Sequence, residues 1–393
     1  MRNKLHEGWQ IVTFGDVVCL NTDRCADPDA EGIERYVGLE HIEPEDLRIR
    51  RWGLVAEGTT FTNRFQPGQV LFGKRRAYQR KVAVADFEGV CSGDIYVFEP
   101  KDERLLPELL PFLCQTERFF EYAVGTSAGS LSPRTNWTRL VNYEFFLPPL
   151  EKQQRTVDAL IAADDLCNTY QECLEAAYIL RASIRASEFD PNRYGYSTLA
   201  ELCNKGSGIQ IGPFGAQLHQ ADYVERGIPV VMPADMIDEQ ICTTTISKID
   251  EQKAQELAVH RVEIGDILLP RRGELDRRAY VYEQNKGWLC GTGSVRIRVD
   301  ESVSSRAVFH SLSSVHAVRW LKGNAVGTTM PNINSTIVGR IPVALPSKHR
   351  LALVVEQLDY LQIEIQQLLK RLALARQVKS ELLTQVVEKA YVI

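Results

Sequence analysis

Two stretches of the chain repeat apolar positions at alternating spacings of three and four. Leu351, Val354, Leu358, Leu361, Ile365, Leu368, Leu372 and Ala375 form one such heptad seam, with no proline beyond Pro346 to interrupt it. Leu160, Ala163, Cys167, Tyr170, Leu174, Ala177, Arg181 and Ile184 keep the same spacing until Pro191. The pattern predicts two long helices, over residues 150–188 and 347–393. Elsewhere the apolar runs are short and alternating, bounded by turn residues: Gln10-Ile11-Val12, Tyr36-Val37-Gly38-Leu39, residues 81–85 and Ile95-Tyr96-Val97-Phe98. These read as strands. A helical pattern over residues 105–122 has a counterpart at 305–321, so each globular stretch is expected to be an α+β unit.

The chain is also written twice. Gly68-Gln69-Val70-Leu71-Phe72 reappears as Gly265-Asp266-Ile267-Leu268-Leu269, each followed almost at once by arginines. Val124-Gly125-Thr126 matches Val326-Gly327-Thr328, Pro133-Arg134-Thr135-Asn136 matches Pro331-Asn332-Ile333-Asn334, and Leu147-Pro148 matches Leu345-Pro346. The last two matches share an offset of 198 positions, and the same offset carries Leu160, Ala163, Cys167, Tyr170, Leu174 and Ala177 onto Leu358, Leu361, Ile365, Leu368, Leu372 and Ala375. A tandem duplication follows, with expected domains at 1–149 and 189–346 and a long helix after each. Neither seam is suited to staying wet. Antiparallel pairing of the two helices as a coiled-coil spacer would bury both, with Leu160, Cys167, Tyr170 and Leu174 facing Leu358, Leu361, Ile365, Leu368 and Leu372; alternatively each helix caps its own unit. At 1.5 Å per residue the stretch 160–184 spans roughly 37 Å, about one turn of B-DNA.

Composition changes this picture little. Of 393 residues, 44% are apolar and 25% charged, which gives no case for wholesale disorder. Nine cysteines lack any C-x-x-C pair or zinc-finger histidines, so reduced thiols and no metal are expected. No window approaches 18 uninterrupted apolar residues, so a cytoplasmic protein without a membrane span is expected. The net charge of -5 means that any affinity for nucleic acid must come from local patches.

One such patch is plain. Residues 64–81 hold Arg64, Lys74, Arg75, Arg76, Arg80 and Lys81, with Tyr78 among them and no acidic residue. The second copy has Arg271, Arg272, Arg277, Arg278 and Tyr280, diluted by Glu274 and Asp276, and Arg-Arg-Ala-Tyr occurs in both copies. A guanidinium can bond a phosphate, or the O6/N7 edge of guanine, through two N–H groups at once, and tyrosine adds a ring that stacks. Two basic loops therefore suit two half-sites of double-stranded DNA. A second candidate surface is the Ser/Thr/Asn-rich run 126–137 with its counterpart 327–335. There Arg134 joins the basic set, and Asn136 and Asn332 carry amides that match adenine; asparagine after proline is equally ordinary turn chemistry.

Enzyme signatures fail. There is no phosphate-binding G-x-x-x-x-G-K-[ST] loop, Gly206-Ser207-Gly208 lacks the third glycine of a dinucleotide fingerprint, and the Asn/Asp-Pro-Pro-[Tyr/Phe] motif of amino-methyltransferases is absent. Asp94, Glu99 and Lys101 superficially suggest a metal-dependent nuclease centre, but the second copy lacks them. No catalytic residue and no metal ligand is expected.

Three stretches are more specific: Phe72-Gly73-Lys74-Arg75-Arg76-Ala77-Tyr78, Cys91-Ser92-Gly93-Asp94-Ile95 and Leu147-Pro148-Pro149-Leu150-Glu151-Lys152-Gln153. With the duplicated layout, they resemble the specificity subunit of type I restriction-modification systems. The second half departs from that pattern at Leu269-Pro270-Arg271-Arg272 and Pro346-Ser347-Lys348-His349. The resemblance implies a non-catalytic DNA-specificity subunit whose target-recognition domains each read one half of a split sequence. It further implies two methyltransferase subunits docked along the helices and a restriction (motor) subunit, with S-adenosylmethionine, ATP and Mg held by those partners. A coiled-coil scaffold or adaptor with protein-binding ends is the alternative reading.

Overall fold

The computed structural model describes residues 7–327 and 331–388. It divides into two compact units: one contains the residues up to Gln171 together with those from Leu369 onward, the other is Glu172–Leu368. Each unit thus includes one half of each long helix, the central helix Leu150–Glu188 and the distal helix Lys348–Glu388.

In the first unit a four-stranded antiparallel sheet has the order Val18–Leu20, Ile95–Pro100, Val70–Gly73, Val82–Val84. A second, mixed sheet has Arg35–Val37 running parallel to Gly89–Cys91, with Gly53–Leu54 and Asn63–Phe65 on the outer sides. The second unit repeats the first sheet and the parallel pair of the second. Its antiparallel sheet runs Ile209–Ile211, Ser294–Ile297, Ile267–Pro270, Ala279–Tyr280. In its mixed sheet Ile228–Val231 lies parallel to Leu289–Cys290 and antiparallel to Ser247–Ile249. A short antiparallel pair closes each unit just before its long helix: Gln10–Thr13 with Glu144–Leu147, and Ser197–Thr198 with Pro342–Val343. The antiparallel sheet keeps its strand order and sense in both units, and each mixed sheet keeps a parallel pair with an antiparallel neighbour; the parallel pair is central in the first unit and at one edge in the second.

The helical run expected at 105–122 is two helices, Leu109–Gln115 and Glu117–Gly125, and its counterpart is Ser305–Leu312 and Val315–Asn324. The break has a local cause. Thr116 and Ser314 adopt extended backbone, and their side chains cap the following helix by accepting from the N–H groups of Phe119 and Ala317. A hydroxyl that offers the backbone an alternative partner ends one helix and starts the next. In the first unit these helices cover a core rich in aromatic rings, where Phe14, Phe72, Phe98 and Phe119 meet with centroids 5.0–5.6 Å apart. The second unit fills the equivalent space with Ile267, Leu269, Val295, Ile297 and Phe309.

The heptad seams are covered as expected: of the named positions, Leu160, Ala163, Leu174, Val354, Leu358, Ile365, Leu372 and Ala375 are buried, and Cys167, Tyr170, Leu361 and Leu368 are half-buried. Within the first unit, Val157 and Leu160 share a core with Val386, and Lys379 Nζ donates to Asp164 Oδ1 at 2.6 Å. Within the second, Ile184 and Phe189 pack on Val354 and Leu358, Arg181 bonds Gln362, and Arg350 bonds Glu188. In both units residue numbers fall on one helix as they rise on the other, so the two helices pack on each other antiparallel.

Each unit pins a left-handed turn onto its helix pair. Lys379 Nζ reaches the carbonyl of Glu45 (φ 64°) at 3.3 Å, and Gln362 Nε2 reaches that of Asp238 (φ 47°) at 3.0 Å. The adjoining Glu239 carboxylate bonds Arg181 and Arg185 of the central helix. Burial alone would raise its pKa, but the two guanidinium charges outweigh that and hold it down at about 2.

Candidate DNA interface

Both units build the same scaffold from a strand that leaves the antiparallel sheet and meets a second loop. In the first unit Val70–Gly73 runs into Lys74 and Arg75; Lys74 donates its N–H to the carbonyl of Asp94 and accepts from the N–H of Thr135 at 2.8 Å. Arg75 forms a β-bridge with Arg134, and Arg76 donates its N–H to Pro133. In the second unit Ile267–Pro270 runs into Arg271, which donates to Gly293 and accepts from Ile333 at 2.9 Å. Arg272 bridges Asn332, and Gly273 donates to Pro331. Position by position, Lys74, Arg75, Arg76 and Arg134 correspond to Arg271, Arg272, Gly273 and Asn332. Arg76 and Gly273 share a left-handed backbone (φ 56° and 77°), a conformation that glycine adopts without cost and arginine does not.

This register corrects the sequence-based match. Arg-Arg-Ala-Tyr at 75–78 lies in the loop and the turn after it, whereas Ala279–Tyr280 is the strand that returns beside Ile267–Pro270, as Val82–Val84 does beside Val70–Gly73. Arg278 is accordingly buried at 4% exposure and spent on the carbonyls of Leu312 and Asp276; burial pushes its pKa down to about 10. Tyr280 is buried too, its hydroxyl 2.8 Å from Ser305 Oγ and its ring under the guanidinium of Arg306. Neither can touch a duplex. Arg277 is half-buried and pairs with Glu274 beside it.

Within the first unit the arginines converge on one carboxylate. Arg75 donates from Nη1 to Asp94 Oδ2 at 3.1 Å and from Nε to Ser132 Oγ at 2.6 Å; Arg134 donates from Nε to Asp94 Oδ1 at 2.8 Å. Partial burial would raise the Asp94 carboxyl, yet these two guanidiniums hold it below the usual range. Lys74 stretches over the ring of Tyr96, its ammonium 4.5 Å from the centroid, and burial lowers its pKa. Tyr96 in turn donates its hydroxyl to the Thr135 carbonyl and accepts from the N–H of Trp137, fixing the second loop. Tyr78 stands exposed on the turn Ala77–Gln79.

Other candidates are committed within the fold. Arg80 pairs with Glu117 over the ring of Phe120, and Lys81 donates to the carbonyl of Leu39 at 2.6 Å. Asn136 caps the helix Trp137–Leu140, its carbonyl accepting from Thr138, while the residue itself stays exposed. In the second unit Arg272 is exposed, and among the described residues Arg271 Nε and Asn332 Oδ1 are buried without a hydrogen-bond partner. Thr328 of the repeat lies outside the described residues. Asp94, first read as part of a doubtful nuclease centre, is the residue that sequence reasoning undervalued. Glu99 bonds Gln69 Nε2 and Lys101 reaches the carbonyl of Gly15, so the three do not gather. Among the described residues no cluster of His, Cys, Asp or Glu could hold a metal ion, and no helix is long and apolar enough to cross a membrane.

Residues 6–176 match the family model of the type I restriction modification DNA specificity domain. This stretch is similar to such a specificity domain. Over 167 residues, 39% of this chain, it is 30% identical to the specificity subunit of the type I restriction enzyme EcoDI of Escherichia coli, and the match spans 36% of that relative's length. The fold of the whole chain is similar to that of the type I restriction-modification S subunit from M. genitalium, with a TM-score of 0.61, 14% identity and 99% and 98% of the two chains covered. It is also similar to a chain in a solved structure concerned with assembly and conformational transition of the type I R-M system, with a TM-score of 0.52, 20% identity and 98% of each chain covered. In the matched stretch, the hairpin end with Arg75, Asp94 and Arg134 is where a basic, partly exposed side-chain set sits on a sheet. The topological copy in the second unit presents Arg272 at the same place.

Proposed function

We propose that the chain is the sequence-specific, non-catalytic DNA-recognition subunit of a type I restriction-modification complex in the cytoplasm, reading a bipartite duplex target with one half per unit. The observation that carries this reading is the pair of equivalent bridges, Arg75 to Arg134 and Arg272 to Asn332, which set an exposed arginine, Arg134 or Arg272, beside a half-buried partner at the same end of the same sheet twice. Loops that leave the sheet strands and are tied to a second loop by backbone bridges hold these groups, as readout within an ångström requires. The target-recognition roles belong to residues 1–149 and 189–346, and the paired helices at 150–188 and 347–393 serve as spacer and as the docking surface for two methyltransferase subunits and the restriction subunits. S-adenosylmethionine, ATP and Mg belong to those partners. Lys74, Arg75, Arg76, Tyr78, Arg134, Asn136, Arg271, Arg272 and Asn332 remain the DNA-contact set; Arg278 and Tyr280 leave it because they are buried, and Arg80, Lys81 and Arg277 because they are engaged by Glu117, the Leu39 carbonyl and Glu274.

A gel-shift series over several salt concentrations separates this reading from a protein-binding adaptor. Wild-type chain should bind duplex with a steep salt dependence, and the double variant Arg75→Ala, Arg272→Ala should flatten the slope by roughly one unit per lost phosphate contact. Unchanged affinity and slope in the double variant would remove the support for DNA contact at these loops.

A further inference from the structure

We infer that Arg134 is a base-reading guanidinium, aimed by Asp94, and that it takes a guanine in the half of the target read by the first unit. This inference rests on the DNA-recognition function proposed above and adds the base and the positioning residue.

The two arginines share Asp94 unequally. Arg75 is tied on two sides, through Nε to Ser132 and through Nη1 to Asp94, with its side chain 39% exposed. Arg134 is tied only through Nε, with its side chain 54% exposed, and among the described residues neither of its Nη atoms has a partner. A carboxylate on Nε fixes the plane of a guanidinium while leaving its outer edge, the two Nη groups, free. That edge carries two parallel N–H vectors, which match the O6 and N7 acceptors that guanine shows in the major groove. No other base pair offers two acceptors on one purine there.

The backbone under Arg134 is fixed as firmly as its side chain. It belongs to the short ladder of Ser127–Ala128 with Arg134–Thr135 and to the bridge with Arg75. Asp94 is held from two sides, its carbonyl accepting from Lys74 and its N–H donating to Ser92 Oγ at 3.2 Å. The fork is therefore ordered before DNA arrives, and little side-chain entropy is left to lose on binding. Asp94 also takes one positive charge from the site, which weakens binding to phosphates regardless of sequence. The second unit lacks this device: Gly293 holds the carbonyl opposite Arg271, and Asn332, a half-buried amide with no guanidinium edge, stands in place of the arginine.

The test is selection of bound duplexes from a randomised library by the full-length chain and three variants. Wild type should select a motif with a fixed guanine in one half. Arg134→Gln should lose roughly ten- to a hundredfold of the preference at that position and keep the rest of the motif. Arg134→Lys, which keeps the charge and can still donate to O6 and N7 but has no Nε for Asp94 to hold, should keep part of the preference. Asp94→Asn should blur that position alone and raise affinity for unselected duplex, whereas a merely structural role for Asp94 would lower affinity for every sequence. A guanine preference that survives in Arg134→Gln, or one that Arg134→Gln and Arg134→Lys lose to the same small extent at every position of the motif, would overturn the inference and leave Arg134 a phosphate contact. If wild type selects no motif at all, the recognition function itself fails.

Discussion

A single buried guanidinium shows where residue identity misleads. Arg278 carries the same tetrapeptide context as Arg76, yet strand register puts it at the position of Val82, inside the fold. Its hydrogen bonds to the carbonyls of Leu312 and Asp276, and the nearby charge of Glu239, make it a structural cation. Arg278→Ala should therefore cost the second unit about 3–5 kcal/mol in urea unfolding, because the buried acceptors and the Glu239 network lose their partner. Arg75→Ala, at a half-exposed ion pair, should cost about 1 kcal/mol or less. Equal costs would mean that the two arginines play the same part. Short motifs were legible here as chemistry but not as register, since a four-residue match recurs by chance on a strand as easily as in a loop. Asp94 was legible only as a carboxylate; that two arginines from separate loops close on it depends on a bridge between residues about sixty apart, which no local pattern reports.

At the scale of elements, periodicity carried most of the information. Every named seam position is buried or half-buried, because a three-four repeat leaves one narrow face that only another helix can cover. Gly68 and Gly265, the first residues of the repeated pentapeptide, sit at φ 87° and 89°, and each N–H bonds the strand opposite, Ala85 or Val281. The repeat kept glycine there because the turn demands a left-handed residue. The split of the predicted helices at Thr116 and Ser314 was missed, since capping by a hydroxyl competes with continuation on terms that apolar spacing does not record. The helix Ser305–Leu312 also carries a pH-sensitive contact. Arg185 Nη2 approaches His310 Nδ1 at 2.9 Å, and His310 Nε2 lies 3.0 Å from Asp359 Oδ1, which fits a neutral ring that accepts from arginine and donates to the carboxylate. Burial pushes this imidazole down to about 4, against the hydrogen bond with Asp359. The unfolded chain, with an ordinary histidine near 6.5, binds the proton first as pH falls. The stability contributed is full above about pH 6.5, declines as pH drops, and is lost below about pH 4; the change is on the order of 3 kcal/mol. Urea midpoints of His310→Gln should vary less over that window than those of wild type, and equal pH dependence in both would refute the assignment.

The duplication is the property of the whole molecule, and it was legible early because an offset of 198 joined loop motifs and helix seams alike. Its physical content became visible only in the antiparallel sheets, where strand order and sense repeat although the cores differ, rich in phenylalanines in one unit and mostly aliphatic in the other. Topology is set by turns, register and burial pattern, so it survives replacement of Phe72 by Leu269, whereas the side chains at the exposed hairpin ends are free to diverge. Under the proposed function, divergence at an otherwise fixed place is what two readers of different sequences would need, and the change from Arg134 to Asn332 is of that kind. Each unit should then govern its own block of bases. The most direct test is base-resolved mapping of adenine methylation in cells that express this chain with its cognate methyltransferase. The account predicts two short specified blocks with an unread gap of constant length, a change confined to one block on Arg134→Gln, and a change confined to the other on Asn332→Ala. A single contiguous motif, or one substitution that alters both blocks together, would contradict it.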